Sequence, residues 1–428
     1  MHIPPSLKHK KFFYLWLGQL ISITGTQMQL WALFWHINQL DKNPIALGGI
    51  GVARILPVII FSLIGGALAD SVDRRKVMFS TQSIAALLAL TLALFTQFGQ
   101  VTIWHIYFIT ALQAVVVAFD GPSRQALIPN LLPKKDLPNA FSMTFTAFQA
   151  GAVIGPALSG IIIAVFGQEA VYYFNAISFV AVLVALFMIG DVPQAIAEKT
   201  AGISLDAIKD GIRFILAKPI ILSTMAVDFV ATFFASASTL MPIIAKEVLN
   251  VGVVEYGYLS AASAVGAVAV ALVISQIKEI RKQGMVFVVA VIIFGIATII
   301  FGITRSFVVA WLAIAVTGGA DGVSTIVRNT IRQLQTPDHV RGRMTSINQI
   351  FFMGGPQLGE IEAGSVAQFF GAPFAVITGG IGCIVGTLLI VWKWPQLREY
   401  NGDEPILAGS SPTPSVGASI IANRVRKE

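Results

Sequence analysis

Charge is scarce in this sequence: Asp, Glu, Lys and Arg make up 12% of its 428 residues, where soluble globular proteins carry about 25%. So little charge cannot clothe a water-facing surface, which excludes an ordinary soluble enzyme. Cysteine is nearly absent as well, and Cys383 alone excludes an intrachain disulfide framework and a thiolate metal centre. No Walker lysine loop, HExxH helix or GxSxG elbow occurs. ATP hydrolysis, zinc proteolysis and α/β-hydrolase chemistry therefore lack their residues, and the chain reads as a non-enzyme with no cofactor and no metal. The net charge of +7 does not signal nucleic acid, because the basic residues sit in short loops between apolar stretches rather than on one face.

Apolar residues fill the space that charge leaves, at 55% of the chain with a mean hydropathy of +0.77. A bilayer core about 30 Å thick takes roughly 20 apolar residues in a helix. Twelve windows of that length are ended by charge or turn residues: 12–38, 45–69, 76–98, 102–122, 138–166, 170–190, 219–245, 254–277, 284–303, 306–327, 344–370 and 372–394. The first is too long for a signal-peptide core and no small-residue cleavage site follows it, so it reads as a retained span. Of the 29 Lys and Arg, 25 fall in loops on the side of both termini, 3 on the other (Lys42, Lys246, Arg305), and Arg54 lies inside a span. Positive loops stay cytoplasmic, so both ends are expected in the cytoplasm.

The expected organisation is an all-α membrane protein: a six-helix lobe over 1–190, a cytoplasmic linker over 191–218, a second six-helix lobe over 219–395 and a disordered tail over 396–428. Apolar residues at 205, 208, 212 and 215 after Ser204 give the linker an amphipathic helix lying on the membrane surface. The halves echo each other at offsets near 200: Asp120-Gly121 recurs as Asp321-Gly322, Arg124-Gln125 as Arg332-Gln333, Gly155-Pro156 as Gly355-Pro356, and Phe166-Gly167 as Phe370-Gly371. Two repeated bundles are a transporter plan.

Gly66-Ala67-Leu68-Ala69-Asp70-Ser71-Val72-Asp73-Arg74-Arg75-Lys76, after the second span, resembles the loop signature of the major facilitator superfamily, departing from it at Ser71 and Asp73. Leu15-Trp16-Leu17-Gly18-Gln19 and Pro122-Ser123-Arg124-Gln125-Ala126-Leu127-Ile128-Pro129 are similar to the bacterial branch of enterobactin-exporter-like efflux proteins. Gly151, Gly155, Pro156 and Gly160 of the fifth span resemble the superfamily's exporter motif, with Ser159 in place of one glycine. The resemblance implies the major facilitator fold, twelve helices in two lobes that work by alternating access, usually as a monomer. It further implies that Gly66, Asp70, Arg74 and Arg75 form a conformational latch, with Asp70 docked at the N-terminal dipole of the eleventh span. The other reading is that the latch charges only set topology.

Ionisable side chains within spans cost about 2.5–3.5 kcal/mol each on insertion scales, so each requires a reason. Arg54, Asp228, Glu360 and Glu362 lie deepest. Arg54 stands roughly 13 Å from the outer end of its span and the glutamates roughly 12–15 Å from theirs. The superfamily's arrangement sets the second and eleventh spans face to face, which pairs Arg54 with one glutamate while the other points elsewhere. Such a glutamate, or Asp228, which has no basic residue within a turn, is a candidate proton coupler; a fixed ion pair that orders packing is the alternative for Arg54. Asp120 and Asp321, near Arg124 and Arg328, read as paired structural clamps. Gln27, Trp31, Gln113 and Phe233 lead the candidates for the substrate cavity, where aromatics and amides suit an amphipathic solute. The sequence thus points to proton-coupled efflux of a small siderophore-like or drug-like solute through a bacterial inner membrane. Facilitated uptake, lipid-type transport, or a non-transporting scaffold or receptor are the alternatives.

Overall fold

The computed structural model describes residues 4–193, 212–235, 237–277, 280–402 and 404, and all regular structure among them is helical. Twelve long helical segments stand among these residues. In the first half they are α1 Lys10–Leu40, α2 Pro44–Ser71, α3 Arg74–Gln97, α4 Ile103–Leu127, α5 Leu137–Phe166 and α6 Gln168–Ile189. In the second half they are α7 Pro219–Phe234, α8 Val253–Ile274, α9 Gln283–Ile303, α10 Phe307–Leu334, α11 Asp338–Phe370 and α12 Ala372–Lys393. Among the described residues ten spans are long and apolar enough to cross a membrane, the one that begins with α7 running on to Val248; the two longest helices, α1 and α11, at 31 and 33 residues, are not among them. The expected linker helix falls mostly on residues outside the described ones.

Helix boundaries follow local chemistry. Asn43 and Asp73 cap α2 and α3 by accepting from backbone N–H groups of the first turn. The turns after α5 and α11 are alike: Gly167 and Gly371 take φ +86° and +88°, a conformation that glycine alone adopts without strain. Span seven differs from the sequence expectation of one continuous helix. It breaks after Phe234, where Gly379 of α12 lies against the Phe234 carbonyl, and continues as short turns from Ala237 to Val248. Helices α4, α10 and α11 also run several residues past their apolar windows at the loop side that carries most Lys and Arg, because polar helical turns extend beyond the bilayer core.

Packing repeats between the halves. In the first lobe α1 packs on α5 and α6, α2 on α4, and α3 on α4 and α6; in the second α7 packs on α11 and α12, α8 on α10, and α9 on α10 and α12. The lobes meet along two crossings, α2 with α11 and α5 with α8. Both use small residues, as they must in a solvent that gives helices no hydrophobic reason to associate. A Cβ on Gly160 would stand 2.6 Å from the Val253 carbonyl oxygen, and one on Gly257 2.7 Å from that of Pro156; at the other crossing a Cβ on Gly364 would meet the Pro44 carbonyl at 2.9 Å, and one on Gly48 that of Glu360 at 2.9 Å.

The apolar core is asymmetric along the membrane normal. At the face away from the basic loops, one cluster runs through both lobes, joining Met28, Phe34 and Ile37 of α1 to Leu240, Met241 and Ile244 beyond α7, Tyr256 of α8, and Ala363 and Ala367 of α11. At the basic face the clusters among the described residues stay within single lobes: Phe12, Leu15, Met78, Leu127 and Leu186 in the first, Val227, Phe287, Val291, Ile331 and Leu397 in the second. Among the described residues, the two lobes share one core cluster on one side of the membrane and keep separate clusters on the other.

Candidate functional site

Buried charge concentrates in the second lobe. Arg328 and Arg332 occupy successive turns on the inner face of α10, 2% and 3% exposed, and Asp228 of α7 is 3% exposed. Arg328 Nη1 lies 2.8 Å from Asp228 Oδ1 and 3.4 Å from Asp321 Oδ1, and donates to Ser324 Oγ at 3.0 Å. One guanidinium nitrogen thus serves two carboxylates, Asp228 buried and the Asp321 side chain 51% exposed. Arg332 donates from Nε to the Arg328 carbonyl and from Nη2 to Asn329 Oδ1. Arg328 Nε and Arg332 Nη1 are buried without a hydrogen-bond acceptor, and the Asp228 Oδ1 contact is close without being aligned as a hydrogen bond. A small recess lined by Asp228, Thr232, Val291, Phe294, Asp321, Ser324 and Arg328 adjoins the cluster.

The basic partner of Asp228 was not visible in sequence. It comes from α10, a hundred positions along the chain, and the hydropathy window had ended that span at 327, which left Arg328 and Arg332 looking like loop charges. The signal that could have found them is their spacing of four beside Asp321, which puts three charges within about three turns of one helix.

At the α2–α11 crossing Arg54 Nη1 lies 3.4 Å from Glu360 Oε1. Glu360 is 5% exposed and its second oxygen has no hydrogen-bond partner. Glu362, two positions on, is half-buried, and no ion pair among the described residues includes it. The first lobe carries its own acid on α4: Asp120 accepts from Thr81 Oγ1 at 3.1 Å and Gln82 Nε2 at 2.8 Å, with Arg124 Nε at 3.7 Å. This acid is tied into α3, whereas the Asp321 side chain is half-exposed, so the repeated aspartates are not equivalent in their surroundings.

Of the latch residues, Arg74 donates to Asn130 Oδ1 at 3.4 Å, and Arg75 reaches the Leu186 carbonyl at 2.9 Å and Asp191 at 3.1 Å. These contacts brace the first lobe at its basic face. The side chains of Gly66 and Asp70 lie outside the described residues. The exporter-motif glycines divide between two neighbours: Gly151 and Gly155 lie against α1 at Ile23 and Gln27, and Gly160 against α8. Ser159, the departure from the motif, donates to the Met28 carbonyl at 3.0 Å.

Among the cavity candidates, Gln113 accepts from Gln29 at 2.8 Å, which in turn accepts from Asn175 at 2.7 Å, an amide chain from α4 through α1 to α6. The Gln113 amide nitrogen is left free. Trp31 belongs to the seal: its carbonyl accepts from Tyr256 Oη at 3.0 Å, and Tyr256 also packs on Trp35 with ring centroids 5.0 Å apart. Phe233 stacks on Phe229, which meets Phe351 of α11 edge-on. His36 pairs with Tyr172 and His105 caps α4 with Thr102.

Residues 4–423 match the model of the family described as transmembrane secretion effector. The chain belongs to that family. Similar curated proteins share 21–25% identity with this chain over nearly their whole length. The enterobactin exporter of Salmonella typhi is 22% identical over 93% of this chain and 95% of its own. The staphyloferrin A transporter of Staphylococcus aureus is 25% identical over 90% and 95%, and an uncharacterised transporter of the major facilitator type from Bacillus subtilis is 24% identical over 92% and 95%. Among solved structures, a bacterial homologue of the lysosomal transporter Spinster, captured inward-facing, superposes with a TM-score of 0.68 at 13% identity over 93% of this chain and 97% of its own. A transporter of the POT family superposes with a TM-score of 0.70 at 14% identity over 92% and 97%. The chain therefore has the major facilitator fold and is a multi-pass membrane transporter, not an enzyme.

Proposed function

We propose that this protein exports a small amphipathic solute of the siderophore type across a bacterial inner membrane, by alternating access, in exchange for protons, working as a monomer with both termini in the cytoplasm. The observation that carries the reading is the core cluster shared by both lobes on the face away from the basic loops: a transporter waiting to load cytoplasmic cargo is closed on that side, and the clusters among the described residues at the basic face, which stay within single lobes, fit that state. The names of the enterobactin and staphyloferrin A relatives support the solute class.

In this reading Gln27, Gln113 and Phe233 contact the solute in the inner cleft, and Trp31 closes the outer end above it. The glycine crossings are the pivots. Arg54 with Glu360 joins α2 to α11 while the outer side is shut, and Asp228 carries the coupled proton, with Glu360 and Glu362 as the other carboxylates within reach of the same cycle. Gly66, Asp70, Arg74 and Arg75 close the inner side in the opposite state. Protonation of a buried carboxylate removes its charge and so releases its basic partner, which is how a proton gradient biases two lobe arrangements.

The test is reconstitution of the full chain in proteoliposomes with the basic face outward and the lumen acidic. Enterobactin and staphyloferrin A are expected to accumulate in the lumen, and an uncoupler is expected to abolish the accumulation. Flux of neither solute removes the export reading; flux that ignores the uncoupler removes the proton.

One further result is expected at the α2–α11 crossing. Arg54→Ala leaves Glu360 buried with no partner, which costs about 3–5 kcal/mol where such a pair is fully dehydrated and less here, because Arg54 is 32% exposed. Glu360→Gln should restore most of that loss when added to Arg54→Ala. A thermal melt of the three proteins in detergent reads it, and equal melting temperatures would show that the pair holds nothing.

A further inference from the structure

Arg328 stands between two carboxylates that differ in access. Asp228 is buried on α7, and Asp321 is half-exposed on α10. The exposed side of Asp321 faces the cleft rather than lipid, by helical spacing: Asp321, Thr325 and Asn329 recur every four residues as a polar stripe that is not fully buried. The lipid-facing stripe of the same helix is a different one, made of exposed Val308, Leu312 and Val316. The recess beside Arg328 touches both acids. The charged groups that bear on Asp228 come from α10 and are Arg328, Arg332 and Asp321; α9 brings only Val291 and Phe294 to the recess.

A lone buried pair would make a poor coupler. Protonating its acid abandons a dehydrated guanidinium, and an uncompensated buried charge is costlier than the pair itself. Here the guanidinium has a second acceptor already at 3.4 Å. We propose that Asp321 is the holding partner of Arg328 in the transport cycle: when a proton from water binds an Asp228 carboxylate oxygen, Arg328 keeps its charge and transfers its ion pair to Asp321. When the proton leaves to water in the inner cleft, Arg328 returns to Asp228. The cluster of two arginines and two aspartates goes from neutral to one positive charge and back, with no other group required. The structure, with Arg328 nearer Asp228 and Asp321 open to the cleft, corresponds to the cycle after proton release. This places Asp321 in the coupling machinery and not in a static clamp, and explains why it is half-exposed while its counterpart Asp120 is tied to Thr81 and Gln82.

The inference rests on the proton-coupled export reading, and the experiment separates the two. Wild type, Asp228→Asn, Asp321→Asn and Asp321→Glu are reconstituted and assayed with enterobactin and staphyloferrin A for gradient-driven accumulation and for solute exchange at equal pH. Asp321→Asn is expected to lower accumulation at least about tenfold, because proton binding then leaves Arg328 unpaired, while exchange persists and Asp321→Glu restores accumulation. Asp228→Asn is expected to abolish accumulation. If Asp321→Asn accumulates solute like wild type while Asp228→Asn does not, the holding role is wrong and proton coupling stands. The holding role is also wrong if Asp321→Asn loses exchange together with accumulation, or if Asp321→Glu fails to rescue, since a purely structural acid would behave so. A wild type that moves neither solute, or an Asp228→Asn protein that still accumulates, overturns the export or coupling reading and this inference with it.

Discussion

Replacing Arg328 by leucine should be among the most destabilising single changes in the chain, costing about 3–5 kcal/mol, the range for removing one partner of a buried ion pair. Asp228 would be left at 3% exposure without its 2.8 Å partner, and Arg332 makes no ion pair with Asp228 in this structure, its Nε and Nη2 being committed to the Arg328 carbonyl and Asn329. Asp321 would lose its 3.4 Å contact as well, though half-exposed to water it loses little. The expected result is a large drop in the melting temperature of the detergent-solubilised protein and a poor yield of folded material. Adding Asp228→Asn to Arg328→Leu should recover most of the stability, since an amide in place of an abandoned carboxylate removes the unpaired charge, yet gradient-driven accumulation should stay absent. That split between recovered fold and unrecovered transport is what a coupling pair predicts. A single Arg328→Leu protein that melts with wild type would show that Asp228 is not held by this arginine. Recovery of both stability and accumulation in the double variant would show that the pair serves packing alone. The pair Arg75–Asp191 at the basic face gives a contrast within the same chain: Asp191 is fully exposed, so removing it should leave the melt unmoved.

Much of this architecture was legible because the bilayer is a strict solvent. Backbone groups in hydrocarbon must be satisfied within the helix, so apolar length alone predicts spans, and rise per residue alone put Arg54 and Glu360 at one depth. The paired turns at Gly167 and Gly371 were legible for a related reason: positive φ restricts the residue, so both copies of the repeat keep glycine. Three things were not legible. Span ends carrying charge, as in α10 and α11, are invisible to a window that counts apolar residues. The break after Phe234 falls beside Ser238, Thr239 and Pro242, small polar residues and a proline that a hydropathy window passes over, and it lies where α12 crowds α7 through Gly379, a tertiary contact. The partner of Asp228 depends on the azimuth of α10 against α7, and helix spacing fixes azimuth only relative to the helix itself. For the same reason Asp120 and Asp321, alike in sequence, take different roles once one faces α3 and the other the cleft.

The glycine crossings give the second large effect. Leucine at Gly160 cannot be placed without moving α5 from α8, because a Cβ there already stands 2.6 Å from the Val253 carbonyl oxygen and 3.1 Å from the Gly257 Cα. Backbone atoms cannot swing aside as a flexible side chain does. Overpacking of this kind costs about 1–3 kcal/mol, and at 1.4 kcal/mol per decade that is about a 5- to 150-fold change in a two-state ratio. The cost falls on whichever lobe arrangement needs the close approach, and the far-side seal needs it, since Tyr256 reaches Trp31 only when α8 is held to the first lobe. Gly160→Leu, and Gly364→Leu at the opposite crossing, where a Cβ meets the Pro44 carbonyl at 2.9 Å, should therefore loosen the seal and suppress accumulation while leaving each lobe folded. A cysteine placed at Ala32, fully buried within the seal, reports it with a membrane-impermeant maleimide, and the only native thiol, Cys383, is itself buried. Labelling at position 32 is expected to be slow in the parent and to rise with either leucine, with elution as a single monodisperse species in all cases. If position 32 stays protected and accumulation persists in Gly160→Leu, then α5 and α8 do not pivot on their glycines, and the seal is held by the α2–α11 crossing alone.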